Sequence, residues 1–160
     1  MSNIRIAFED ITLGDSLDLI EDQFGEQGAV AKMLQKAAGF LLDANRKRFL
    51  AETDPDGKPW EPSKAGLRRR ASGGTGTLFD TGKLFNSIEL QSELSKDRRN
   101  VFQAETVIGT SGVPYARKHQ EGDGVVKRVF LGVGDDDRFQ LEELTIAMSE
   151  EIEAKLKALK

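Results

Sequence analysis

The C-terminal end constrains this fold most. Leu141, Leu144, Met148, Ile152, Leu156 and Leu159 recur at spacings of 3, 4, 4, 4 and 3 residues, which places all six on one face of a helix. "DDD" at 135–137 precedes them, and Lys155, Lys157 and Lys160 follow, so the charges match the helix dipole at both ends. At the start of a helix this acidic triplet is dipole compensation before it is a metal site. A stripe of that length has to be buried, and the rest of the chain has to supply the surface that buries it.

Residues 29–51 are the natural partner. Val30, Met33, Ala37, Leu41 and Ala44 fall three or four apart, Leu34, Phe40 and Phe49 widen the stripe, and Arg46, Lys47 and Arg48 occupy the last turn. "DPDGKP" at 54–59 stops this helix, because two prolines and a glycine cannot continue it. It lacks the downstream acidic ligands of a calcium loop.

Four stretches read as strands, the first two by alternation with a period of two. "NIRIAFED" sets Ile4, Ile6 and Phe8 against Arg5 and Glu9. Ile88, Leu90 and Leu94 alternate with polar residues, and "SKDRRN" (95–100) turns the chain into "VFQAETVIGT" (101–110), which together predict a β-hairpin. "VVKRVFLGV" (125–133) predicts a further strand. Shorter helical pieces are expected within "LGDSLDLIEDQF" (13–24), capped by Asp15 or Ser16, over 83–87 after the turn "DTG", and around "YARKHQ" (115–120). These elements add up to an α+β fold. It has a small antiparallel sheet, a long central helix and a C-terminal amphipathic helix, in one domain over residues 1–160 without internal repeats.

Residues 58–77, "KPWEPSKAGLRRRASGGTGT", break the pattern with the sole tryptophan, two prolines and four glycines. Trp60 reads as an anchor and about 64–77 as a flexible loop. "KAGLRRR" (64–70) holds four bases, Lys64, Arg68, Arg69 and Arg70, and no acid. Residues 135–160 hold eight acids against four bases, and the whole chain carries a net charge of −4. A positive segment and a negative helix on one molecule can attract copies of it head to tail.

These counts also exclude functions. An acidic total argues against a dedicated nucleic-acid binder, although the arginine segment could touch a polyanion by counterion release. With no cysteine, disulfides, thiolate metal sites and cysteine nucleophiles are ruled out together. No run of residues reaches the ~18 apolar positions of a membrane span. The N-terminus lacks the basic-then-apolar order of a signal peptide, so a cytoplasmic product is expected. "RRRAS" matches a basic kinase-recognition pattern too short to carry weight. "GGTGT" (73–77) lacks the Lys-Ser/Thr ending of a phosphate loop. His119, the single histidine, could pair with Ser111 or Asp123 in a hydrolase, but no nucleophile turn accompanies it. No cofactor site and no enzyme is expected.

The order of short motifs adds a resemblance. "RF" (48–49), "DPDGKPWEP" (54–62), "LFDTGKLFNSI" (78–88), "VIGTSGVPYARKHQEG" (107–122) and "FLGV" (130–133) succeed one another across most of residues 40–135. This succession resembles the phage virion morphogenesis family, the tail-completion proteins of tailed bacteriophages and prophages. The family commonly has a Pro-Arg pair before "FLG", of which this chain keeps Arg128.

The resemblance implies a non-catalytic α+β protein that completes the tail and allows head–tail joining at the neck. Such a protein would form a ring of subunits, touch other tail and neck proteins, and need neither cofactor nor membrane. It would be assembled in the host bacterial cytoplasm and end in the virion. Candidate docking residues are Trp60, Lys64, Arg68, Arg69, Arg70, Tyr115, His119, Gln120 and Arg128. A DNA-binding accessory role for the basic segment, with non-specific contact to DNA in the channel, is the alternative.

Overall fold

A computed structural model describes residues 4–7, 28–96 and 102–158. In chain order it contains β1 (Ile4–Ala7), α1 (Ala29–Ala51), α2 (Lys64–Ala71), α3 (Lys83–Asn86), β2 (Ile88–Lys96), β3 (Phe102–Thr110), α4 (Ala116–Glu121) and α5 (Asp135–Ala158). The helix expected within 13–24 and the tip of the predicted hairpin turn lie outside the described residues.

The three strands form one antiparallel sheet in the order β1-β3-β2. Ile4 and Leu90 both pair with Ile108, and Ile88 pairs with Thr110. α1 lies against this sheet and against α5, so the α+β arrangement read from the sequence is the one adopted.

α1 is the centre of the fold because its apolar stripe serves two cores. Its first half (Val30, Met33, Leu34 and Ala37) packs with Met148 and Ile152 of α5. Its second half, through Leu41 and Phe49, meets Leu84, Ile88, Ile108, Phe130 and Leu131. Phe49 is almost fully buried and touches four other aromatic rings: Trp60 at 5.4 Å, Phe85 at 5.6 Å, Phe130 at 5.9 Å and Phe79 at 6.4 Å between centroids. The contacts with Trp60, Phe79 and Phe130 are edge-to-face, a geometry favourable beyond the area it buries.

Two sequence expectations are corrected. Residues 64–71, expected within a flexible loop, form helix α2. The Ser63 hydroxyl accepts a hydrogen bond from the Gly66 N–H at 2.9 Å, which caps the first turn. Arg68, Arg69 and Arg70 fall in the last turn, where arginine is both a good helix former and favoured by the dipole. No apolar periodicity announces this helix, because only Gly66 of it is buried.

The second correction concerns residues 125–133, which form no strand. Their backbone donors go to α4 and to side chains rather than to a neighbouring strand: the Arg128 N–H donates to the His119 carbonyl at 2.7 Å. The Phe130 and Leu131 N–H groups donate to Gln120, and the Gly132 N–H donates to Asn45. The run is apolar without alternating: Val125 and Val126 are exposed, whereas the consecutive Phe130 and Leu131 are both buried, so its second half is threaded through the core.

Candidate functional site

The quoted motifs converge on an internal polar frame. Asn45 sits in the apolar stripe of α1, four residues from both Leu41 and Phe49, and is completely buried. Its amide donates to the Leu41 carbonyl at 2.7 Å and accepts from the Gly132 N–H at 2.9 Å. A side chain on Gly132 would overlap the Pro55 ring, so this glycine lets the "FLG" segment lie directly on the "DPDG" turn. That turn is itself tight: Asp54 accepts from the N–H groups of Asp56 and Lys58 at 3.0 and 2.8 Å.

Gln120 holds the same segment from the other side. Its carbonyl oxygen accepts from Phe130 and Leu131 at 3.0 and 3.1 Å, and its amide donates to the Leu131 carbonyl. α4 then ends at Gly122, whose φ of +83° is the left-handed cap conformation that glycine adopts without strain. The "YA-x-x-HQ-x-G" motif thus builds a short helix that presents an amide to an extended strand-like segment.

Two arginines complete the frame. Arg128 is 5% exposed and donates from Nε to the Glu61 carbonyl at 2.8 Å. The indole N–H of Trp60 donates to the Val129 carbonyl at 3.0 Å. Arg48 pairs with buried Asp137, whose other oxygen accepts from the Gly134 N–H at 2.8 Å. The acidic triplet therefore does more than offset a dipole: Asp137 joins the ends of α1 and α5. The structure uses Trp60, Gln120 and Arg128, read from sequence as docking residues, inside the chain. Asn45, Arg48 and Asp137 were missed, and the signal for Asn45 was a polar residue placed in register with Leu41 and Phe49.

The remaining candidates lie outside this frame, and most belong to α2. Arg70 pairs with Glu52, which also accepts from the Thr77 N–H at 2.9 Å. Arg69 donates to the Gly76 carbonyl at 2.7 Å and lies 3.6 Å from Asp80. These two arginines fix α2 to the chain beneath it. Lys64, Leu67, Arg68 and Ala71 face outward at helical spacing, all exposed, with Leu67 at 53%. Arg68 bonds only to the Lys64 carbonyl of its own helix, and Lys64 has no side-chain partner among the described residues.

Tyr115 and His119 form a separate edge. Tyr115 is exposed, and its ring meets the imidazole edge-on at 6.3 Å. His119 Nδ1 is buried without a hydrogen-bond partner among the described residues. Burial, reinforced by the Arg128 charge, holds its pKa below the ordinary imidazole value, so the ring is neutral at neutral pH. Neither Ser111 nor Asp123 hydrogen-bonds to it, so the proposed dyad is not assembled. Among the described residues no three His, Asp or Glu side chains converge to hold a metal ion, and no helix is long and apolar enough to cross a membrane.

This arrangement suits docking: a rigid frame that presents a short cationic helix with an apolar residue at its centre. Comparison with known proteins agrees with the motif order. No curated protein and no solved structure matches the chain. The model of the phage virion morphogenesis family matches residues 12–149 of the 160. That span takes in α1, the "DPDG" turn, α2, the hairpin, α4, the "FLG" segment and most of α5. The chain belongs to the phage virion morphogenesis family.

Proposed function

We propose that this protein is a structural component that completes the phage tail and makes it competent to join a filled head, acting as a ring of subunits without catalysis. Family membership supplies the assembly role in the virion. The observation that carries the finer reading is the division of labour among the polar residues. The side chains of Asn45, Trp60, Gln120 and Arg128 are committed to internal hydrogen bonds, which gives a rigid module. The outward face of α2 is left to meet another subunit of the assembly.

The test is electron microscopy of lysates from a phage or prophage with an early stop codon in this gene. Filled heads lying apart from tails, joined on addition of the purified protein, support the reading. Intact virions without the protein overturn it. The cationic face of α2 favours a second reading, contact with DNA. With Arg69 and Arg70 tied down, Lys64 and Arg68 would neutralise two phosphates, giving a log–log salt slope of only about −2. A much steeper slope in a filter-binding titration would bring the DNA reading forward.

A further inference from the structure

The outer face of α5 mirrors that of α2. Phe139, Glu142, Glu143, Ile146 and Glu150 follow helical spacing and are all exposed, Phe139 at 60% and Ile146 at 58%. Beside them an open groove of about 530 Å³ runs between α1 and α5, lined by Met33, Ala37, Leu141, Thr145 and Ile146 with Glu142 at its rim. Arg138, at one end of the groove, is paired with Asp135. Glu142 and Glu150 have no cationic partner among the described residues. By contrast Glu151 and Glu153 are paired along the helix with Lys155 and Lys157. An acidic face with two bare apolar side chains is what a basic helix with one apolar side chain would cover.

We propose that a second copy of this chain lays α2 along the outer face of α5. Leu67 enters the groove beside Ile146, and Lys64 and Arg68 lie against Glu142, Glu143 and Glu150. The eight residues of α2 span about 12 Å and fit along residues 139–150, which span about 18 Å. The two patches are different surfaces of one molecule, so the contact is heterologous and repeats from copy to copy, which is how rings are closed. A single-helix contact falls below the standard interface size of roughly 1,600 Å². Isolated pairs therefore associate weakly, and closure of the ring supplies the avidity. The inference rests on the ring in the reading above, not on where in the virion that ring sits.

A chain without cysteine allows a direct test. Leu67→Cys and Ile146→Cys are introduced into separate molecules, both at exposed positions, and thermal melting checks that each variant is folded. The two are mixed at low salt under mild oxidation, and the rate of intermolecular disulfide formation is compared with that of Leu50→Cys mixed with Ile146→Cys. Leu50 is equally exposed, at 60%, but lies on α1.

The proposal predicts a rate for the first pair at least about tenfold above the control, as charge-steered encounters allow. Adding Lys64→Glu and Arg68→Glu to the Leu67→Cys molecule should bring the rate down to the control. Adding Glu142→Lys and Glu143→Lys to the Ile146→Cys molecule should restore it. A rate equal to the control, or a rate indifferent to charge reversal, overturns the contact. This readout uses purified protein alone, so it can fail while head–tail joining is confirmed, and succeed while joining is not.

Discussion

Arg128 and Arg68 are the same residue in opposite situations. Arg128 is 5% exposed and bonded to carbonyls of Glu61 and Val126, whereas Arg68 is exposed and, among the described residues, bonded only within its own helix turn. The segment around Arg128 is unpaired by any strand, so its backbone groups need partners elsewhere: the Arg128 N–H donates to the His119 carbonyl, and the groups of residues 129–131 meet the Trp60 and Gln120 side chains. α2 satisfies its own backbone, which frees its side chains for display. Charge in a sequence therefore marks an interface only where the local backbone makes no claim on it.

If the buried frame and the displayed helix differ as described, substitutions should separate them by magnitude. The largest effect is expected at Asp137. Asp137→Ala strands Arg48 and the Gly134 N–H, and loss of one member of a largely buried pair costs about 3 kcal/mol, read as a lowered midpoint in urea unfolding. Gln120→Ala removes partners from two N–H groups and one carbonyl of residues 130–131 and should cost about 2 kcal/mol. A loss near zero at either site would mean that the frame is not what orders the "FLG" segment.

His119 gives a smaller, pH-dependent effect with a definite sign. Its pKa is lowered in the folded chain, first by burial and then by Arg128, so the unfolded chain binds the proton more readily. The stability tied to the neutral ring is complete above the ordinary imidazole pKa of about 6.5. It is lost as the pH falls from there through the folded-state value. In calorimetric scans between these limits, His119→Gln should flatten the decline in Tm relative to the parent chain. An unchanged slope would show that the ring is not held neutral by the fold.

The smallest stability effect belongs to the displayed face. Lys64→Ala with Arg68→Ala should change stability by no more than about 0.5 kcal/mol, measured by urea unfolding. A larger loss would place these cations in the frame after all.

What the sequence disclosed follows from the same contrast. The helices α1 and α5 were legible because burial imposes a period on their apolar residues, and the β2–β3 hairpin through the alternation of Ile88, Leu90 and Leu94 with polar residues before a polar turn. α2 was not legible as a helix: it buries only a glycine and is held by Ser63, Glu52 and Asp80 through contacts of long or non-periodic reach. Residues 125–133 misled in the other direction. Their apolar run reflects threading of Phe130 and Leu131 through the core, while the partners that replace a neighbouring strand, Asn45 and Gln120, lie 87 and 10 or 11 residues away along the chain. Motif order pointed to the family but not to which motif residues face outward, since Trp60, Gln120 and Arg128 carry groups equally suited to a core and to an interface.

The most direct test of the account joins the displayed face to assembly. Purified protein carrying Lys64→Glu and Arg68→Glu is added to a lysate that lacks a functional copy, beside the parent protein, and joined particles are counted by electron microscopy. The account predicts a variant that melts as the parent does yet leaves heads and tails apart. Joining at the parent's level by the folded variant would contradict it.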